Sequence, residues 1–143
     1  MQYEEHVALL DQLVPDPDDQ RRDVYRIGDL AREFDVTLRT LRFYEDRGLI
    51  QPNREGSTRL YSARDRQRLK LILLAKQVGF PLTEIQELMH IYDTGGNGHN
   101  PIDSVLSKFT AQLDVLKLQK TEVEAAIAKL TETIETLSSK LRR

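Results

Sequence analysis

The chain has 143 residues, 39% of them hydrophobic, which suits one compact domain with an appendage, and no apolar run approaches the roughly 18 residues that a membrane span needs. It contains no cysteine, which excludes disulfides, thiolate metal sites, thiol redox switching and cysteine nucleophiles. The net charge of −2 conceals a segregation: residues 24–78 carry twelve bases against seven acids, whereas residues 1–23 carry seven acids against two bases. A basic block inside an acidic chain is the charge pattern of a polyanion-binding module, although a solvated charged face gives the same pattern. The acidic start has no signal-peptide character, so a cytoplasmic location without membrane attachment is the expectation.

Residues 1–23 read as a tail. Val7-Ala8-Leu9-Leu10 and Leu13-Val14 suit a short amphipathic turn or two, and Pro15-Asp16-Pro17-Asp18-Asp19 then breaks any helix. Ile27, Leu30, Ala31 and Phe34 follow the i, i+3, i+4, i+7 spacing of a helix with one apolar face. Asp35-Val36 makes a short turn, Thr37 is a good N-cap for a second helix, and Gly48 suits its C-terminal end. Two short helices with a tight turn between them are the helix-turn-helix pattern.

Residues 50–61 place Pro52 and Arg54-Glu55-Gly56-Ser57-Thr58 before Arg59-Leu60-Tyr61, turn chemistry between extended stretches, which predicts a β-hairpin wing. Ser62-Ala63-Arg64-Asp65 resembles a capping box and opens a helix to about Val78, closed by Gly79. Leu82, Ile85, Leu88 and Met89 give the next helix its apolar stripe. Asp93-Thr94-Gly95-Gly96-Asn97-Gly98-His99-Asn100 is a linker by composition.

Asn100 then caps a last helix with Pro101 at its first position. Spacings alternating four and three select Ile102, Leu106, Phe109, Leu113, Leu116, Lys120, Val123, Ile127, Leu130, Ile134, Leu137 and Leu141. All but Lys120 are apolar, so the stripe is a coiled-coil seam, and the small domain before it cannot cover it. Self-association into a homodimer follows. Lys120 either tunes the register of that pairing or simply lays its stem along the seam. The expected division is a tail over 1–23, a DNA-binding domain over 24–92, a linker over 93–100 and a dimerising helix over 101–143. The fold class is mainly α: a winged helix-turn-helix followed by a long coiled-coil helix.

On a helical wheel of residues 38–45, Leu38 and Leu41 point toward the first helix, Arg39, Thr40 and Phe43 point away, and Arg42 and Tyr44 lie on the flanks. An outward Arg and Thr suit the acceptor-rich base edges of the major groove, and flanking Arg42 and Tyr44 suit phosphate oxygens. Phe43 either touches a thymine methyl or sugar, or packs against the wing or a neighbouring helix. Arg59 and Tyr61 project from the second wing strand toward the DNA backbone or minor groove, with plain strand packing the alternative for Tyr61.

The residues Tyr25-Arg26-Ile27-Gly28-Asp29-Leu30-Ala31, Thr37-Leu38-Arg39-Thr40-Leu41-Arg42-Phe43-Tyr44-Glu45, Gly48-Leu49-Ile50, Arg59-Leu60-Tyr61-Ser62 and Gly79-Phe80-Pro81-Leu82-Thr83-Glu84-Ile85 together resemble the mercury-resistance-regulator (MerR) family over about residues 24–92. The resemblance implies a homodimer with antiparallel long helices, bound to a pseudo-palindromic operator in a promoter with an over-long spacer. It implies that bending and untwisting this double-stranded DNA lets RNA polymerase, engaged only through the DNA, meet both promoter elements. It carries DNA-contact roles onto Arg39, Thr40, Arg42, Phe43, Tyr44, Arg59 and Tyr61, with Thr37 as the capping member of the site.

The chain departs from the family pattern at Phe43-Tyr44, where many members have two tyrosines, and at Ser57-Thr58-Arg59, where many have Gly-Tyr-Arg. Without cysteine, thiolate sensing of metals or superoxide is excluded, and no large effector domain is expected after the coiled coil, so the drug-binding branch is a poor fit. The wing, Ile91-Tyr92-Asp93 and the short tail resemble most the branch that regulates branched-chain amino acid and acyl-CoA breakdown. An acyl-CoA or related metabolite is then the expected effector, with a pocket near Tyr92 and His99. His6, His90 and His99 lack metal-ligand spacing, and there is no phosphate loop, nucleophile motif or carboxylate pair, so neither an enzyme nor a cofactor is expected. The alternative function is a coiled-coil adaptor whose basic domain meets protein partners.

Overall fold

A computed structural model describes residues 12–13, 24–95 and 100–142. The proposed tail, apart from Gln12 and Leu13, and residues 96–99 of the proposed linker lie outside the described residues. The elements in chain order are β1 (Val24–Arg26), α1 (Ile27–Phe34), α2 (Leu38–Asp46), β2 (Asn53–Glu55), β3 (Thr58–Ser62), α3 (Ala63–Gln77), α4 (Leu82–Thr94) and α5 (Pro101–Leu141). The fold is mainly helical: a winged helix-turn-helix with a two-helix extension, ending in a helix of 41 residues. The chain divides into two compact units, Met1–Val105 and Leu106–Arg143.

In the first unit, Leu30, Leu41, Leu69, Ile72, Leu88 and Tyr92 make the centre of the core. The turn between α1 and α2 is closed by Asp35 in the left-handed region at φ 52°, one of the few side chains that tolerates it, while the Val36 N–H donates to the Ala31 carbonyl at 3.0 Å. Gly48, at φ 73°, lets the backbone turn out of α2 with its N–H on the Glu45 carbonyl at 2.9 Å. The expected wing is present, with Glu55 opposite Thr58 across the two residues Gly56 and Ser57, and Gly56 at φ 63° supplies the positive φ a two-residue hairpin needs.

The sheet differs from a plain hairpin. β1 pairs antiparallel with the other edge of β3, Tyr25 opposite Tyr61, so the order is β1-β3-β2 and β3 is central. Three residues are too few for alternation to be visible in the sequence. α4 also runs to Thr94, two residues into the stretch expected to be linker, before Gly95 turns the chain at φ 78°. Leu38 is a correction: it is 40% exposed, while Leu41 is fully buried. Leu38 is the first residue of α2, and helical side chains lean toward the N-terminus, so it hangs over the start of the helix instead of lying on α1.

The capping box at α3 is as the sequence spells it: Ser62 Oγ accepts from the Asp65 N–H at 3.1 Å, and Asp65 Oδ2 accepts from the Ser62 N–H at 3.3 Å. Because this helix sits at the middle of the core, Ser62→Ala is expected to lower unfolding free energy by about 1 kcal/mol. A denaturant midpoint that does not move would remove the cap from the account. α3 is tied to α1 by an ion pair that patterning could not reveal. Arg66 is buried, donates from Nε to Glu33 at 2.8 Å and from Nη2 at 2.9 Å, and stacks 5.7 Å from the ring centres of both Tyr25 and Phe34.

The start of α5 belongs to the first unit. Asn100 Oδ1 caps it by accepting from the Ile102 N–H at 2.9 Å, and Pro101 and Val105 are buried. The second unit is the remainder of the helix. Along it Leu113, Leu116, Val123, Ile127, Leu130, Ile134 and Leu137 all stand exposed, several by more than half. Among the described residues no helix is long and apolar enough to cross a membrane.

Candidate nucleic-acid interface

α2 owes its position to Leu41, which anchors it in the core, and its start to Thr37, whose hydroxyl accepts from the Thr40 N–H at 3.1 Å. The two threonine hydroxyls also meet each other at 2.9 Å. Thr37 is thus a capping residue at the edge of the outer face, with Thr40 half-buried beside it. Arg39, Arg42 and Phe43 stand on the exposed side. Phe43 is 41% exposed, with the Arg47 guanidinium 5.2 Å from its ring centre. Phe43 and Arg39 also line a cavity of about 380 Å³ with Lys76, Phe80, Leu82 and Ile85.

Charge pairing separates two sets of arginines. Arg32 pairs with Asp29, Arg54 and Arg59 with Glu45, Arg66 with Glu33, and Arg64 and Arg68 with Asp93. Arg26, Arg39, Arg42, Arg47 and Arg142 form no ion pair among the described residues, and of these Arg39 and Arg42 lie within α2. A cation left without a carboxylate on an exposed helix face keeps its full attraction for an external anion.

Two residues expected as candidate DNA contacts are inward. Tyr44 is 3% exposed and Tyr61 1%. Tyr44 lies one turn beyond Leu41, only about 60° round the wheel at 3.6 residues per turn, so it shares the buried face instead of the flank. Tyr61 faces in because it lies on the side of β3 that packs against the helices of the core, α1 and α3. There its hydroxyl donates to Glu45 Oε2 at 3.3 Å. Burial, followed by the neighbouring Glu45 carboxylate, pushes this hydroxyl up from 10.0 to about 12. The native state therefore favours the neutral phenol, and the stability this adds is complete below pH 10 and lost as pH rises through about 12.

Arg59, two residues before Tyr61 on the same strand face, is half-buried and donates from Nε to the same Glu45 oxygen at 3.0 Å. Arg54, from β2, reaches the other oxygen at 3.5 Å, a marginal contact. One carboxylate on α2 thus collects donors from both strands of the wing. Glu45 was visible in the sequence only as part of a motif, with nothing to mark its role. The only signal was an acid among the bases of a reading helix.

The proposed effector region is less defined. His99 lies outside the described residues. Tyr92 is buried, with the Arg64 guanidinium 4.8 Å and that of Arg68 6.0 Å from its ring centre. Arg68 also donates from Nε to the Leu49 carbonyl at 2.9 Å, which links the exit from α2 to the end of α4. Among the described residues no group of three or more His, Cys, Asp or Glu could hold a metal ion.

Comparison with known proteins gives this geometry a context. Residues 25–90 match the family described as MerR HTH family regulatory protein, and residues 66–140 match the family described as MerR, DNA binding. The HTH-type transcriptional regulator ZntR of Escherichia coli (strain K12) is 38% identical over 109 residues, 75% of this chain and 71% of that protein. HiNmlR, a MerR family regulator lacking the sensor domain and solved bound to promoter DNA, matches with a TM-score of 0.58 at 26% identity, over 73% of this chain and 78% of that one. MtaN, the N-terminus of the Bacillus subtilis multidrug transporter activator, matches with a TM-score of 0.61 at 28% identity, over 77% and 97%.

Proposed function

The chain belongs to the MerR family of DNA-binding transcriptional regulators, and from that premise we propose that it acts as a homodimer that bends and untwists promoter DNA. In this reading, two copies zip along the α5 seam and set their α2 helices in successive major-groove segments of a pseudo-palindromic operator, about 34 Å per helical turn apart. The deformation changes how RNA polymerase meets the two promoter elements without any new base contact. The effector in this reading is held without thiolates, since the sequence has no cysteine, and an acyl-CoA or related metabolite is the class favoured by the resemblance of the wing and of Ile91-Tyr92-Asp93 to one branch of the family.

The observation that carries the reading is the pair Arg39 and Arg42, exposed and without carboxylate partners on α2, the second helix of the helix-turn-helix. Arg39, Thr40 and Phe43 are assigned to base edges and thymine methyls, and Arg42 and Arg59 to phosphates. Thr37 holds the N-terminus of α2. Tyr44 and Tyr61 are assigned to the interior, where they hold α2 and the wing in place.

The test is a footprint on the DNA upstream of the protein's own gene. A protected, two-fold related site lying between promoter elements with an over-long spacer is the expected result. A footprint outside the spacer would sink the untwisting mechanism. Arg59→Ala is expected to weaken binding to every sequence alike and to reduce the slope of log affinity against log salt by about one. A loss confined to the operator, with the slope intact, would take Arg59 off the backbone.

A further inference from the structure

A carboxylate beside a DNA-reading helix is at first sight a liability, because it repels the phosphates the surface must meet. Glu45 is nevertheless placed where α2 meets the wing. Its side chain is only 17% exposed, and it accepts from Arg59 at 3.0 Å, Tyr61 at 3.3 Å and Arg54 at 3.5 Å. The Arg59 contact uses Nε alone. The two terminal nitrogens of that guanidinium have no partner among the described residues. A guanidinium is a planar fork of five donors, so fixing it by Nε fixes the direction of the remaining pair.

We propose that Glu45 is a positioning residue for DNA binding: it grips Arg59 by Nε and so pre-orients the two free terminal nitrogens for bidentate capture of one phosphate. The proposal rests on the reading of Arg59 as a backbone contact. An arginine on a wing strand would otherwise lose the freedom of a long side chain on binding, and here that loss has been met during folding. The same carboxylate joins recognition helix and wing, so the phosphate clamp is set at a fixed place relative to the base-reading side chains. The repulsion between Glu45 and DNA is the opposing effect, and it is reduced because Arg59 stands beside it.

These two effects separate in a double-mutant cycle on the full chain, with the footprinted duplex from upstream of its own gene as probe and a scrambled duplex as reference. Glu45→Gln keeps the shape of the side chain and removes its charge. With Arg59 present, Glu45→Gln is expected to weaken operator binding by roughly 3- to 10-fold, the scale of one long side chain's ordering. In an Arg59→Gln background the same change should not weaken binding and should strengthen it, because only the repulsion is then removed. Equal fold-changes in the two backgrounds would mean a merely structural effect and overturn the proposal. A gain in affinity with Arg59 present would also overturn it, because Glu45 would then compete with phosphate for the guanidinium.

Thermal unfolding of each variant accompanies the cycle. Should Glu45→Gln not fold, Arg59→Lys carries the test, since it keeps the charge without the fork. Its operator affinity should fall by a similar factor while the salt slope stays unchanged, and an affinity equal to the parent's would overturn the proposal. Parent protein that does not prefer the footprinted duplex over the scrambled one would count against the regulator reading itself, a failure distinct from any outcome of the cycle.

Discussion

Ile127→Glu is expected to convert the protein from dimer to monomer at micromolar concentration. Ile127 is 59% exposed on the isolated helix, between Val123 and Leu130 on the same seam. In the proposed dimer, pairing of two α5 helices removes that surface from water, worth about 1.5–3 kcal/mol for an aliphatic side chain of this size. The substitution forfeits this twice in a symmetric pair and places two carboxylates in the seam, each at a desolvation cost of several kcal/mol unless it can reach solvent. A net loss of about 4–6 kcal/mol raises the dimer dissociation constant on the order of 10³- to 10⁴-fold. Sedimentation equilibrium reads this directly, and operator affinity should fall with it because one half-site cannot hold the protein alone. A variant that still sediments as a dimer would mean that the seam is not the interface.

Arg39→Ala has the second-largest expected effect, and it falls on binding alone. A bidentate arginine contact to a base contributes about 1–3 kcal/mol of discrimination, so operator affinity should fall roughly 10- to 100-fold while binding to scrambled DNA changes much less. Arg39 is exposed and has no ion-pair partner among the described residues, so its removal leaves no buried group unsatisfied. Unfolding free energy should therefore stay within about 0.5 kcal/mol of the parent. Competition binding with the two duplexes and a denaturant titration check both halves. An equal loss on both duplexes would reassign Arg39 from base edges to backbone.

Elements whose formation depends on local chemistry were legible in the sequence. Thr37 and Ser62 are caps, Gly48 and Gly56 take the positive φ their turns require, Asn100-Pro101 begins a helix, and the four-three spacing from Ile102 to Leu141 falls within that one helix. Features that depend on long-range pairing were not. β1 has three residues and no periodicity of its own, and nothing local to Tyr61 tells which face of β3 the helices of the core will cover. The wheel placed Tyr44 at a flank because it was centred on Leu38 as well as Leu41, and Leu38 is not on the buried side. The ion pairs of Glu33 with Arg66 and of Glu45 with Arg59 join residues 33 and 14 positions apart. Nothing in either neighbourhood marks these as partners, because a charged side chain carries no label for the charge it will meet.

The placement of β1 has a practical consequence. Among the described residues, Val24–Arg26 alone shield one side of β3. A version of the protein trimmed to begin at α1 would leave the backbone N–H and C=O groups along that side of β3 without partners. Bare strand borders of this kind recruit strands from other molecules. Such trimmed protein would tend to clump on expression even with every DNA-contacting side chain intact, so a productive truncation has to begin before Val24.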